Sequence, residues 1–442
     1  MFKFILPALL LLSSCCLAQD EPAALLNQLV HKQPDTARLK TLQKLGSYYY
    51  EHYRNNADLD TALHYLGKAS VICRAIHDDV RLAVLNCAAG NIYLARNDTS
   101  VGEKYYEIAA KYYSDKHDAY NQSVTWRNLG DAICKIKANK TPAKTSQLNN
   151  PAEKYYLMAR TVLKGEKDTE KCINALHDLA RSYGIAGLPM QAKMLWKDVI
   201  AKYGHSRFNN LTAVYVLLSQ QYRNEGNSDS SLFFILKCIK RVEKIKDTVN
   251  AHRAYGELAL VYQELGQIEN SIIWYKRTLQ LRERIPNLPQ EFLYRTAGFM
   301  AQGLIKQGKA EEALREIIAL EKRKAPVDDK GKALIAQVKA YCYNGLKQYK
   351  LAEVYYLQMM QFLGKTDQGS YFIFAAKYDI GEFYVQQKKY DRAAVYLKGL
   401  DAVALNVSKK RDIQFLFFKI DSAKGSTLSA LQHFQQFKLL ND

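Results

Sequence analysis

The chain has 442 residues, 48% of them hydrophobic, with only 22 glycines and 9 prolines and a formal net charge of +19. That length exceeds one ordinary core, so it requires either several domains or an array that grows in one dimension, and the apolar content excludes a disordered chain. The 31 tyrosines are the compositional outlier, because a ring with a polar tip suits half-buried seams between packed helices.

The chain opens on MFKFILPALLLLSSCCLAQDEP, in which Lys3 precedes an apolar run from Phe4 to Leu12 and then small residues. This is the form of a secretory leader, too short to span a bilayer. Two cleavage readings stay open. Leu12-Ser13-Ser14-Cys15 resembles a lipobox, which would end the leader at residue 14 and make Cys15 the lipidated first residue. Cys16-Leu17-Ala18 resembles an ordinary small-x-small site, which would end it at residue 18. Both predict export, to the periplasm or to a membrane-tethered lipoprotein of a Gram-negative bacterium, with a lipid at Cys15 as the only membrane contact. Residues 19–34 read as a partly helical lead segment.

From residue 35 onward the sequence repeats. A large residue, a small one, and an aromatic three further on recur as Leu45-Gly46-Tyr49, Ala89-Gly90-Tyr93, Leu179-Ala180-Tyr183, Leu218-Ser219-Tyr222, Leu258-Ala259-Tyr262 and Ile380-Gly381-Tyr384, with weaker members at Ala301 and Ala340. The period is close to 40 residues. Twelve residues beyond the small slot there is usually a second small residue, followed at i+4 by a bulky one: Gly102 and Tyr106, Ala192 and Trp196, Ser271 and Tyr275, Ala352 and Tyr356. Two antiparallel helices can approach closely only where a small side chain faces a large one, and i/i+4 keeps both on one stripe. Gly187, Gly226, Gly266, Gly308 and Gly425 each stand five residues before the second small slot, where a helix must end and a positive φ is useful.

Trp126, Leu129, Gly130 and Ile133 follow the W-x2-L-G-x2-Y pattern, and with it the chain resembles a tetratricopeptide repeat (TPR) array in a long-helix variant. The resemblance implies an all-α, TPR-type α-solenoid: a right-handed superhelix of about ten antiparallel helix pairs. Their bounds are 35–76, 79–117, 120–164, 169–204, 208–246, 249–285, 290–324, 328–364, 369–406 and 410–442. Two register slips, NNADLD after Tyr49 and KIKANKTPAKTSQLNNP after Ile133, are expected to bulge as loops.

Six cysteines lie outside the leader, at 73, 87, 134, 172, 238 and 342, with no CxxC, so buried free thiols are expected. Cys73 and Cys87 are the pair to test, since they should sit on neighbouring antiparallel helices. The nine histidines show no HExxH or other ligand spacing, and neither a phosphate loop nor Gly-x-Ser-x-Gly occurs. We expect no enzyme activity, no catalytic residue, no metal and no cofactor. The carboxylates fall at turns and on polar helix faces, as caps and solvated charges. Export argues against nucleic acid, leaving a protein or peptide partner in the cell envelope, an acidic one if the basic surface takes part. The Tyr pairs at 105–106, 155–156 and 355–356 read as core residues before they read as a stacking ladder.

In such an array the first helices make a concave wall, and the residue after the small slot and those one turn either side should face inward. These candidate contacts are Asn91, Arg127, Asp131, His177, Arg181, Gln220 and Arg223. Asn91 resembles the asparagine of a TPR carboxylate clamp, but the accompanying basic pattern is not reproduced.

The last stretch, with Phe417, Lys419, Ile420, Asp421, Gly425, Ala430, Phe434 and the closing FKLLND, resembles the final repeat of bacterial sensor histidine kinases with a periplasmic TPR array. That resemblance implies a sensory or signalling-associated input module. The membrane span and kinase motifs of that group are not in this sequence, so kinase activity does not carry over, and His433 lacks the context of a phosphoacceptor. The alternative is a stand-alone envelope scaffold lipoprotein. The final stripe of Phe434, Phe437 and Leu440 should cover the preceding helix, leaving an end either frayed or completed by something outside the chain.

Overall fold

The structure, a computed structural model, describes residues 22–30, 35–140, 150–208, 210–364, 371–403 and 407–441. The leader with Cys15, most of the second expected loop and the start of the ninth expected pair therefore lie outside the described residues.

Among the described residues all regular structure is helical. A lead helix α1 (Pro22–Val30) precedes the pairs α2 (Asp35–Glu51) with α3 (Asn56–Ala75), α4 (Asp79–Ala95) with α5 (Thr99–Asp115), α6 (Ala119–Lys140) with α7 (Glu153–Val162), and α8 (Thr169–Ile185) with α9 (Pro189–Tyr203). Next come α10 (Asn210–Asn224) with α11 (Ser228–Ile245), α12 (Thr248–Glu264) with α13 (Ile268–Arg284), and α14 (Gln290–Lys306) with α15 (Ala310–Arg323). The last are α16 (Asp329–Gly345) with α17 (Tyr349–Leu363), α18 (Tyr371–Gln386) with α19 (Tyr390–Leu397) and the short α20 (Leu400–Val403), and α21 (Val407–Ala423) with α22 (Thr427–Asn441). Two compact units divide the chain inside α10, Met1–Val214 and Tyr215–Asp442.

Within each pair the small slots do what the repeat predicts. A Cβ built on Gly90 would stand 2.7 Å from the Tyr106 ring, one on Gly102 2.7 Å from Leu94, and the two glycine backbones approach directly. At Gly130 the Tyr156 ring fills the same place, and at Ser219 the slot is a hydroxyl bonded to Ser231 Oγ at 2.8 Å. A second contact runs beside this one: the aromatic of the first helix stacks on a ring twelve residues later, as in Tyr93 on Tyr105 and Tyr343 on Tyr355, both at 5.3 Å. Tyr106, Tyr156 and Tyr356 are core residues, and burial raises their phenol pKa values well above the ordinary range.

The turns inside the pairs are equally regular. All five expected glycines have φ between 72° and 77°, and the equivalent position holds Asn97, Lys347 and Lys388 with φ of 68°, 60° and 57°. Each closes the helix with a 6→1 bond, for example Gln267 N–H to Tyr262 O at 2.8 Å. Between pairs, Asp78, Asp118, Asp168, Asp247 and Asp328 cap the next helix through their carboxylates, and Asp98 does the same inside the α4–α5 pair.

The first expected loop is instead mostly helix. Asn55 Oδ1 accepts from Ala57 N and Asp58 N at 2.9 and 3.2 Å, which starts α3 a turn early and brings Ala62 and Leu66 against Gly46. In the second, Lys135–Lys140 simply continue α6, whose pattern has no breaker before Pro142.

In the first unit a core of Leu39, Leu42, Leu59, Leu66, Leu85 and Ile92 binds α2, α3 and α4. In the second, Tyr294, Met300, Ile317 and Val338 centre one cluster, and Tyr356, Ile380, Phe383 and Ile413 another. Cys73 on α3 and Cys87 on α4 are buried thiols outside any disulfide, as are Cys172, Cys238 and Cys342, while the half-buried Cys134 thiol donates to Asn150 Oδ1 at 3.9 Å. Burial pushes Cys87, Cys238 and Cys342 up to about 12. At the last pair Phe437 packs on Phe415 at 4.9 Å and Phe434 on Phe418 at 5.1 Å, so that stripe does cover α21.

A candidate ligand pocket on the first helices of the second unit

Four first helices of the second unit, α14, α16, α18 and α21, with the end of α17, line a partly open cavity of about 240 Å³. Positions 295, 298, 299 and 302 of α14 and 334, 337, 338 and 341 of α16 follow i, i+3, i+4, i+7, so each helix turns one stripe toward it. Its apolar wall is Leu334, Val338, Met359, Leu363, Phe372 and Phe374, and its polar wall is Arg295, Gln302, Gln337, Tyr341, Asp379 and Lys409. Gly298, Ala333, Ala375 and Ala376 provide the room by having little or no side chain.

Asp379 is the chemical centre of the polar wall. Its Oδ2 accepts from Gln337 Nε2 and from Tyr341 O–H, both at 2.5 Å. Burial raises its pKa from 3.8 to about 6, against the pull of those two hydrogen bonds and the Lys409 charge. Lys409 lies over the Tyr378 ring at 4.1 Å, a cation–π contact. A lining that combines a carboxylate, amides and two cations with apolar side chains can orient an amphipathic group.

The residues expected on the concave wall are placed as follows. In the first unit Asn91 Oδ1 accepts from Tyr106 O–H at 2.8 Å. Asp131 accepts from Tyr156 O–H at 2.8 Å and from Ser182 Oγ at 3.0 Å, and burial raises its pKa. Arg127 reaches Asp178 at 3.0 Å and Asn128 at 3.1 Å, beside Asp131 at 3.9 Å. His177 is half-buried and Arg181 exposed on the same helix, α8. In the second unit Arg223 joins Glu257 at 2.9 Å and Glu264 at 2.8 Å, and Gln220 also bonds Glu257. The structure thus brings Arg127 and Asp131 together, and Gln220 and Arg223 together, largely in bonds within the chain.

Sequence reasoning missed the cavity, although its own rule reaches it. The residue after Ala301 is Gln302 and the residue after Ala340 is Tyr341, with Gln337 a turn earlier; Asp379 stands two before Gly381. Among the described residues no group of His, Cys, Asp and Glu is arranged to hold a metal, and no helix is long and apolar enough to cross a membrane.

This fold is an array of antiparallel helix pairs of the TPR class. Residues 252–284, which span most of α12 and α13, match the tetratricopeptide repeat family. No curated protein matches the chain. Among solved structures it is similar to the kinesin light chain TPR-like repeats of Podosopora anserina (17% identity, 46% of this chain and 100% of that one, TM-score 0.40). It is also similar to a tetratricopeptide repeat protein from Parabacteroides merdae (13% identity, 61% and 93%, TM-score 0.44) and to apo RapI (9% identity, 92% and 97%, TM-score 0.49).

Proposed function

We propose that the chain is an exported TPR interaction module that binds a protein or peptide partner in the cell envelope, an acidic one, as the sensory or signalling-associated input of a system related to membrane-bound sensor kinases. The α14–α16–α18–α21 cavity carries the binding part of this reading. It is sized for one or two side chains and lined by both apolar and hydrogen-bonding groups. The leader pattern at residues 1–18 supports export, and the net charge of +19 supports the acidic partner. Binding would select among arrangements of the helix pairs, a population shift that a coupled domain can read.

Selection of a random nonapeptide phage library on the purified chain tests it. Enriched peptides should share an apolar position, and binding should fall at least tenfold on Gln302→Trp, which fills the cavity from its half-buried rim. Enrichment no better than on a blank surface, or binding indifferent to that substitution, would sink the reading. The Leu12–Cys15 lipobox favours a second reading, a stand-alone scaffold lipoprotein. Palmitate incorporation abolished by Cys15→Ser would support the tether, and unchanged labelling or none would remove it.

A further inference from the structure

Buried arginines in this chain ordinarily have carboxylate partners, as Arg127 has Asp178 and Arg223 has Glu257 and Glu264. Arg282, at the end of α13, is built differently. Its Nε–H donates to His252 Nδ1 of α12 at 3.3 Å, and Nη1 donates to Phe292 O at 2.7 Å and to Thr296 Oγ1 of α14. Every acceptor is neutral. The fork is therefore held between three helices, over the Phe292 ring at 5.8 Å, and bonds no carboxylate among the described residues.

The charges around it add to the excess. Arg253 follows His252 on α12 and is exposed, and Arg295 precedes Thr296 on α14 and lines the cavity. Burial, then Arg295 and Arg253, lower Arg282 from 12.5 to about 10. Burial, Arg282 and Arg253 likewise lower His252 from 6.5 to about 4, which keeps its Nδ1 an acceptor. Among the described residues, burial and neighbouring cations dominate both groups. Gly256, one turn beyond His252, leaves the Nη2 side of Arg282 uncovered: a Cβ there would stand 3.5 Å from it. Arg282 and the exposed Arg253 thus stand near Arg295, which itself lines the cavity.

We propose that Arg253, Arg282 and Arg295 form an oxyanion subsite at the junction of α12, α13 and α14, which takes the carboxylate or phosphate of a residue in the peptide whose apolar side chain fills the neighbouring cavity. A planar fork fixed by neutral acceptors binds such a group in bidentate fashion without first breaking an ion pair. The peptide part rests on the function proposed above; the anion site does not. His252 and Thr296 are positioning residues, which aim the guanidinium.

Two measurements on the full chain separate them. In the first, glutarate and inorganic phosphate are titrated at constant ionic strength against chloride, reading the His252 imidazole by NMR. The anions should raise its pKa and saturate, and Arg253→Gln, at an exposed position, should weaken them at least threefold; no anion-specific shift overturns the subsite. In the second, synthetic peptides from the library selection carry Glu, Gln, phosphoserine or Ser at each position. A preference of fivefold or more for Glu over Gln, lost in Arg253→Gln, supports the carboxylate source, and the same preference for phosphoserine over Ser supports the phosphate source. Peptides that bind equally whatever their charge overturn the subsite and leave the peptide reading standing. Saturable anion binding with no peptide bound supports the subsite and removes the peptide reading.

Discussion

At the scale of single residues, two titrating groups of the second unit work against stability in opposite pH ranges. His252 is a base whose folded pKa, about 4, lies below its ordinary 6.5, so the folded state holds fewer protons between those values and loses stability as pH falls through them. We expect wild type to lose about 2 kcal/mol more than His252→Gln between pH 7 and pH 5 in urea unfolding, a difference that follows from the linkage relation. Equal losses would mean that the imidazole is not held neutral. Asp379 is an acid whose folded pKa is raised from 3.8 to about 6, so its contribution is fully present below 3.8 and is lost as pH rises through 6. Asp379→Asn should therefore gain roughly 1–2 kcal/mol over wild type between pH 5 and pH 7.5, while weakening any ligand that uses the polar wall. That gain would fit a carboxylate held for binding rather than for stability, and no gain would remove that reading.

At the scale of the helix pair, one geometry is met with different residues, and the substitutions show what each place requires. The turn that uses a glycine at 187, 226, 266, 308 and 425 uses lysine at 347 with φ 60°. Lys347→Gly should stabilise the α16–α17 pair by about 0.5–1 kcal/mol, the left-handed strain relieved less the entropy glycine adds to the unfolded chain. A drop in stability would show that the lysine side chain contributes more than its backbone strain costs. This regularity is why the pairs could be read from sequence: Gly against Tyr is a contrast of residue type at fixed spacing, and Gly46, Gly90, Gly130 and Gly381 announce themselves. Where the slot is alanine, at 301 and 340, the contrast fades, and the cavity lies on those helices. A cavity is made of missing volume at Gly298, Ala333, Ala375 and Ala376, which leaves no local signature. The Arg282 junction was equally silent, because its partners lie 30 residues back on α12 and 14 ahead on α14. The NNADLD stretch misled for another reason, since an Asn N-cap turned apparent loop into an extra turn of helix.

At the scale of the whole molecule, stability in a repeat array is close to a sum of pair terms and nearest-neighbour terms. Ion pairs that join one pair to the next, such as Arg160 to Asp198 in the first unit and Arg323 to Glu283 in the second, are surface contacts worth only a few tenths of a kcal/mol each. Damage should therefore stay near its origin. Gly130→Ala, which forces the Tyr156 ring aside, should cost about 1–3 kcal/mol and raise hydrogen exchange in α6, α7 and α8, with exchange in α16 and α17 unchanged. Exchange that rose equally throughout would indicate a single cooperative block.

The tyrosine seams also make the array report on itself in alkali. Exposed phenols ionise near pH 10, whereas burial holds Tyr50, Tyr113, Tyr183 and Tyr294 up at about 12 and also raises Tyr106, Tyr156 and Tyr356 well above their ordinary value. Above pH 10 each of these rings favours the unfolded chain, because only there can it give up its proton. The ultraviolet absorption of phenolate should accordingly rise in steps rather than along one titration curve. The later steps would be those in which helix pairs come apart, so an unlabelled sample in a pH jump would give the order and rate at which its repeats melt.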